Sequence, residues 1–291
     1  MKIAIFGNTH KHEVQALIDL LTDFFSDRDV HLLFEKKLYP QALQSDKFNE
    51  KSVHPIESAD FEADFAFSIG GDGTFLHTAM NVGNKAIPIL GINMGHLGFL
   101  ADVAENDVKA ALNALLNGNY VLEDRTLLHV EAGDETVELK MPNALNDVVV
   151  LKKDSSSMIS IDLSVNGEFV HTYQSDGLII ATPTGSTAYS MSVGGPLVIP
   201  CAKSFILSPV ASHSLSVRPL IVPDDWEIEL SISSRSHSFL IAIDGRSNTL
   251  NEKTKLKIKK ADYTIKLIKQ KGYTFFDTLK NKLLWGIDKR S

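Results

Sequence analysis

At about Asn119 the hydrophobic rhythm of this chain changes from a helix-and-strand alternation to a run of short strands, and one sheet-plus-helix layer cannot serve both patterns. Before that point, Lys2–Phe6 is a short apolar run ending at Gly7. His12–Phe25 then repeats Val14, Leu17, Leu20, Leu21 and Phe25 at spacings of three and four, one stripe of a helix. His31–Phe34, Asp64–Ile69 and Ile87–Ile92 read as further strands, and Ala104–Leu116 reads as a second amphipathic helix with Gly118 at its stop. Strands separated by helices predict a Rossmann-like α/β domain with a parallel sheet.

From Tyr120 onward the segments are short and β-rich: Ala144–Leu151, Met158–Val165, Glu168–Tyr173, Leu178–Thr182, Glu227–Ser233, Phe239–Ile243 and Lys255–Lys259. Asn166-Gly167 between two of them is a hairpin signal. This second half is expected to form a sandwich-like or distorted barrel domain. Lys255–Lys260 alternates charge as the solvated face of an edge strand would. A final helical segment, Phe275–Trp285, places Leu279, Leu283 and Leu284 on one side, and that side is expected to return to the first domain. The expected division is residues 1–119 joined by 270–291, and residues 120–269.

With 291 residues the chain is long enough for two cores. Its 29 Lys and Arg against 36 Asp and Glu give a net charge of −7, which argues against a nucleic-acid partner but not against a small anion held by backbone amides. The single cysteine, Cys201, excludes an internal disulfide framework and a multi-cysteine zinc site. No stretch reaches the roughly 18 apolar residues of a membrane span, and the apolar start is too short for a signal peptide, so a cytoplasmic protein is expected.

The strongest chemical signal is Gly70-Gly71-Asp72-Gly73-Thr74, directly after a strand and before a helix-compatible segment. Glycines there let backbone amides approach a ligand, and a helix N-terminus favours phosphate; a plain strand-to-helix turn capped by Asp72 is the bland alternative. It is neither a dinucleotide fingerprint, since Leu76 stands where the third glycine belongs, nor a Walker loop, since no Gly-Lys pair occurs. A second rich stretch runs from Ser175 to Ser190, where an apolar strand opens into hydroxyls around Pro183 and Gly185, with Tyr189 able to pack on a ring. His77, one turn into the helix, reads equally as a phosphate contact or an ordinary surface histidine. No metal-ligand constellation is defensible from spacing.

These motifs, together with Asn93-Met94-Gly95-His96-Leu97-Gly98-Phe99-Leu100, Asn146-Asp147, Ser175-Asp176-Gly177 and Thr182-Pro183-Thr184-Gly185-Ser186-Thr187-Ala188-Tyr189, stand in the order found in NAD kinases. Over essentially its whole length the sequence resembles a bacterial member of that family. The resemblance implies an α/β domain followed by a β-rich domain with a returning C-terminal helix. It implies transfer of the γ-phosphoryl of ATP to the 2′-hydroxyl of the adenosine ribose of NAD, giving NADP, with a divalent cation, expected to be Mg²⁺, carried by the triphosphate, and a homo-oligomeric protein.

By the same resemblance Asp72 matches the general base and Gly71, Gly73 and Thr74 its loop. Phe99 matches an adenine wall, Asn146 and Asp147 the pair on ribose and adenine, and Asp176 an acid on the nicotinamide side. Thr184, Thr187, Ala188, Tyr189, Ser190, Met191 and Ser192 match the loop around the adenosine. Two positions depart from the family pattern. Arg246 stands where Gln is frequent and so is a candidate phosphate contact, and Gln174 stands where a basic residue is common, which leaves NAD against NADH open. A lipid kinase sharing the glycine loop, or a dinucleotide sensor without turnover, are the competing readings.

Overall fold

The computed structural model describes residues 1–7, 13–95, 97–133, 139–154 and 157–286. His12 and His96 therefore lie outside the described residues, as does the side chain of Glu13. The chain divides into two compact units, Met1–Asp124 with Ile265–Ser291, and Arg125–Thr264.

In the first unit β1 (Lys2–Gly7), α1 (Glu13–Phe25), β2 (His31–Phe34), α2 (Tyr39–Ala42), β3 (Val53–Pro55), β4 (Phe65–Ile69), α3 (Asp72–Val82), β5 (Ile89–Asn93), β6 (Val103–Ala104) and α4 (Val108–Leu116) follow in order, and β7 (Tyr120–Ala132) leaves for the second unit. The strands lie in the order β6-β5-β4-β1-β2-β3, every pair parallel, as the alternation predicts. Ile3, Ile5, Phe67, Ile69, Leu90 and Ile92 turn to one face, where the stripe Val14, Leu17, Ile18, Leu21 and Phe25 of α1 and Val108, Leu112 and Leu115 of α4 bury them. α3 buries Phe75, Thr78, Ala79 and Val82, and runs against β4, β5 and β1.

The second unit holds β8 (Asn143–Ala144), β9 (Asp147–Lys152), β10 (Ile159–Val165), β11 (Glu168–Ser175), β12 (Gly177–Ala181), α5 (Tyr189–Ser192), β13 (Ser204–Val210), β14 (Leu220–Pro223), β15 (Ile228–Ser233), β16 (Ser238–Ile243), β17 (Arg246–Asn251) and the start of β18 (Leu256–Gln270). One antiparallel layer runs β11-β10-β15-β18, the other β14-β13-β12-β9-β16-β17. Alternate residues of both layers, among them Ile161, Leu163, Val148, Val150, Leu178, Ile180, Phe205, Phe239 and Ile258, share one core. Asn166-Gly167 makes the expected hairpin turn, with φ of 49° and 79°. Asp244-Gly245 makes a second turn of the same kind, with φ of 45° and 78°.

Two local expectations change. Lys255–Lys260 does not form an edge: β18 is paired by β15 and also by β7, and Lys257 and Lys259 meet Glu227 at 2.6 Å and Glu131 at 2.5 Å. The alternation marks one solvated face of an interior strand, which looks the same in sequence. β18 then continues into the first unit, where Leu267 pairs with Ile89 and Lys269 meets Asp102 at 2.5 Å, both side chains buried. The helix that follows, α6 (Phe275–Leu283), starts at a capping box of Thr274 and Asp277. It stops one residue earlier than its leucine spacing suggests. Leu284 adopts a left-handed conformation and is exposed, so Leu279 is the buried anchor of that stripe.

Candidate active site

In the first unit Gly71 is the N-cap of α3 and Asp72 its first residue. The Asp72 carboxylate points at the segment after β5. It accepts the N–H of Phe99 at 2.9 Å, of Leu100 at 3.0 Å and of Ala101 at 3.1 Å, while Nζ of Lys282 stands 3.4 Å away. Four donors on two oxygens occupy the positions a carboxylate has to offer, and the lysine contact is the longest of them. Gly98 is what allows this closeness, since a Cβ there would stand 2.1 Å from Oδ1 of Asp72. Lys282 also lies over the Phe99 ring, 4.8 Å from its centroid, and Phe275 packs on the same ring at 6.3 Å. The glycine loop and Gly98-Phe99-Leu100 are thus one assembly. Gly73 and Thr74 complete the first turn of α3.

His77 faces a different group. Its Nε2 is 2.8 Å from Oε1 of Glu35, 3.2 Å from Nζ of Lys37 and 3.3 Å from Nδ2 of Asn81. Burial pushes the Glu35 carboxyl up, but His77 and then Lys37 outweigh it and hold it below its ordinary value.

In the second unit the centre is Leu145-Asn146-Asp147 at the start of β9. The Asp244 carboxylate accepts the three consecutive N–H groups, Leu145 at 2.8 Å, Asn146 at 2.8 Å and Asp147 at 3.1 Å. Oγ1 of Thr182 donates to Leu145 O at 2.6 Å, and the Thr182 N–H donates to Asn146 O at 2.9 Å. The turn after Thr182 closes down on the same segment: a Cβ at Gly185 would stand 2.0 Å from Asn146 O. Asp147 is buried and receives the backbone N–H of Tyr189. Burial first, and the Asp244 charge second, push its carboxyl up to about 7. Asp244 is itself raised by burial, against the three amides and Arg246, which pull it down.

Around this centre the expected residues behave differently from one another. The Asn146 amide makes no hydrogen bond among the described residues, and Tyr189 is 41% exposed, so both are available to a ligand. Oγ1 of Thr187 donates to the buried Thr184 at 3.2 Å, and Oγ of Ser192 donates to Tyr189 O at 2.7 Å, which hold Ala188-Tyr189-Ser190-Met191 in a short turn. The Ser190 hydroxyl is turned inward onto Ser208 at 3.0 Å. Arg246 reaches Asn143 O at 3.1 Å. Gln174 binds Oγ of Ser160 at 2.7 Å, and Asp176 pairs with Lys152 at 2.7 Å, both away from the Asp147 centre on the β11 side.

The sequence motifs contain Thr182 and Gly98 without assigning either a role, and assign none to Asp244 or Lys282. For Asp244 the available signal is Asp-Gly between two alternating runs, a hairpin turn that has to project its carboxylate somewhere. Among the described residues no three His, Cys, Asp or Glu side chains gather as a metal site, and no helix is long and apolar enough to cross a membrane.

A glycine loop at a helix start in an α/β unit, and a β unit whose buried Asp147 carboxyl accepts the N–H of an exposed tyrosine, suit a phosphotransferase acting on nucleotides. The comparisons carry this to a family. The ATP-NAD kinase N-terminal domain matches residues 3–120 and the ATP-NAD kinase C-terminal domain matches residues 145–270. An NAD kinase of Bacteroides fragilis is 48% identical over 291 residues, all of both chains, and one of Flavobacterium johnsoniae is 41% identical over 296 residues, again all of both. The chain belongs to the ATP-NAD kinase family. Its fold matches the solved structure of an NAD kinase from Archaeoglobus fulgidus in complex with ATP, with a TM-score of 0.71 and 25% identity over 98% of this chain and 97% of that one. It also matches yeast NADH kinase complexed with NADH, with a TM-score of 0.89 and 20% identity over 99% and 88%.

Proposed function

We propose that the chain performs the family's reaction through named groups: Asp72 takes the proton of the 2′-hydroxyl of the adenosine ribose of NAD as that oxygen attacks the γ-phosphorus of ATP. The bond from phosphorus to the bridging oxygen of ADP breaks, and NADP and ADP are the products. The divalent cation enters as part of the MgATP substrate and offsets charge on the triphosphate. Amides of Gly71, Asp72 and Gly73 at the start of α3 are assigned to phosphate oxygens, the Thr74 N–H being spent on Gly71 O at 3.0 Å. Asn146, Asp147 and Tyr189 are assigned to the adenosine of NAD, and Asp176 to its nicotinamide end. ATP and NAD are both cytoplasmic metabolites, which supports placing the reaction in the cytoplasm.

The observation that carries the reading is the occupancy of the Asp72 carboxylate. Three amides fix its direction, and the fourth position holds a lysine at 3.4 Å, the contact a ribose hydroxyl would replace at least cost. Incubation with ATP, Mg²⁺ and NAD, followed by chromatographic detection of NADP, tests the reaction. For the base, Asp72→Asn, which also sets an NH₂ against at least one of the three amides, should lower turnover by at least about 10²–10⁴-fold while calorimetry still detects NAD. Near-parental turnover in that variant would remove Asp72 from the role.

Self-association is proposed as well, through the second unit. Its outer strand β11 exposes Phe169 by 60% and Val170 by 44%, and an open strand edge with apolar side chains favours a second strand. A dimer or tetramer is expected by light scattering, and a monomeric mass at assay concentration would count against it.

A further inference from the structure

Six backbone polar groups belong to Leu145, Asn146 and Asp147, and two other residues satisfy all six. Asp244 takes the three N–H groups through its carboxylate and returns its own N–H to Asp147 O at 3.0 Å. Thr182 donates its hydroxyl to Leu145 O and its N–H to Asn146 O. A strand start is ordinarily held by one neighbour along a ladder; this one is gripped from both sides by a carboxylate and a hydroxyl. The Asn146 side chain, by contrast, makes no hydrogen bond among the described residues. A backbone held at every polar atom behind a free amide is the arrangement that pre-orders a binding group before its ligand arrives.

We propose that Asp244 is a positioning residue for substrate recognition, which holds the Leu145–Asp147 backbone so that the Asn146 amide and the Asp147 carboxyl are pre-set for NAD, with Thr182 as the second half of the latch. This rests on the assignment of Asn146 and Asp147 to NAD. Asp244 suits the task for a local reason: at φ of 45° it leads a hairpin turn with Gly245, so its carboxylate projects from a rigid corner. An aspartate accepts three amides at once, and an asparagine of the same shape cannot, because its NH₂ faces at least one of the N–H donors. A buried N–H without its partner then distorts the segment or stays unsatisfied.

A latch of this kind has an electrostatic consequence that simple support would lack. Asp244 is the acid facing Asp147, Tyr189 N–H donates to Asp147, and Arg246 is the cation beside Asp244. Removing the Asp244 charge lets the Asp147 carboxyl ionise at lower pH.

The test is steady-state kinetics of Asp244→Asn across pH, with both substrates varied. The KM for NAD should rise by about ten-fold or more, the KM for ATP and kcat should change little, and the pH midpoint of the NAD dependence should move to the acid side. Asn is well tolerated at positive φ, which favours folding of the variant. Thr182→Val supplies a second, milder probe, for which a smaller rise in the NAD KM alone is expected, and it carries the test if Asp244→Asn does not fold. Asn146→Ala separates the two levels of inference. If it leaves the NAD KM unchanged, the assignment of this segment to NAD falls and the latch falls with it. If it raises the KM while folded Asp244→Asn and Thr182→Val do not, the segment binds NAD and the latch proposal alone is overturned. Equal rises in both KM values, or an unmoved pH midpoint in Asp244→Asn, would likewise mark Asp244 as general support.

Discussion

Asp147, assigned above to NAD, also bears on the stability of the second unit, and replacing it with asparagine isolates that contribution. Burial, reinforced by the Asp244 charge, raises its carboxyl from 3.8 to about 7. A raised carboxyl binds its proton more tightly in the folded chain than in the unfolded one. Its stabilising contribution is therefore complete below pH ~4 and is lost progressively as pH rises through about 7. The gap of about 3 pH units corresponds to at most about 4 kcal/mol, with a slope near 1.4 kcal/mol per pH unit in the middle of the window. Urea unfolding of the parent and of Asp147→Asn at half-unit steps from pH 4.5 to 8 measures it as a difference at each pH, so groups that titrate equally in both cancel. The difference should grow in favour of the asparagine chain as pH rises, then level off above about 7. A difference that stays flat from pH 4.5 to 8, or one that runs the other way, would show that Asp147 is ionised throughout this range and would refute the burial argument.

Two other perturbations probe the first unit. Gly98→Ala pushes a Cβ into Oδ1 of Asp72, 2.1 Å from its ideal position, so the carboxylate has to leave its three amides. With Asp72 as the proposed base, such a displacement costs on the order of 10²-fold in turnover, measurable in the NADP assay, and unchanged kcat would separate the carboxylate's position from its function. Lys269→Met removes the ammonium that meets Asp102 at 2.5 Å, where their side chains are 8% and 5% exposed, and a loss of stability of up to about 3–5 kcal/mol is expected in calorimetric unfolding.

The elements readable from sequence are those whose evidence is local. α1 and α4 announce themselves by apolar residues three and four apart, and β9, β10, β12 and β16 by unbroken or alternating apolar runs. β3 and β17 do neither. Val53-His54-Pro55 has one buried residue, and Arg246–Asn251 has Leu250 alone, so these strands exist because β2 and β16 offer them backbone partners. The long strands β7 and β18 mislead for the opposite reason. Their length and their pairing with each other are tertiary facts, and Lys255–Lys260 is legible as a face but not as an interior position.

The same distinction runs through the site. Motif strings identify the glycine loop and the Asn-Asp pair because their residues are contiguous. What holds each of them in place is not contiguous at all. Asp72 grips amides 27 to 29 residues away, and Asp244 grips amides 97 to 99 residues away. Each is a short-range polar clasp that only strand register can bring about. In the first unit the gripping carboxylate is itself the chemical candidate and the gripped backbone carries Phe99. In the second the gripped backbone carries Asn146 and Asp147, and the gripping acid stands behind them. A carboxylate spread over three amides resists being moved, because any one N–H released into a half-buried site costs about 1–3 kcal/mol. Phosphoryl transfer relies on positioning more than on covalent chemistry, so two such clasps put rigidity on the groups assigned to the proton and to the acceptor.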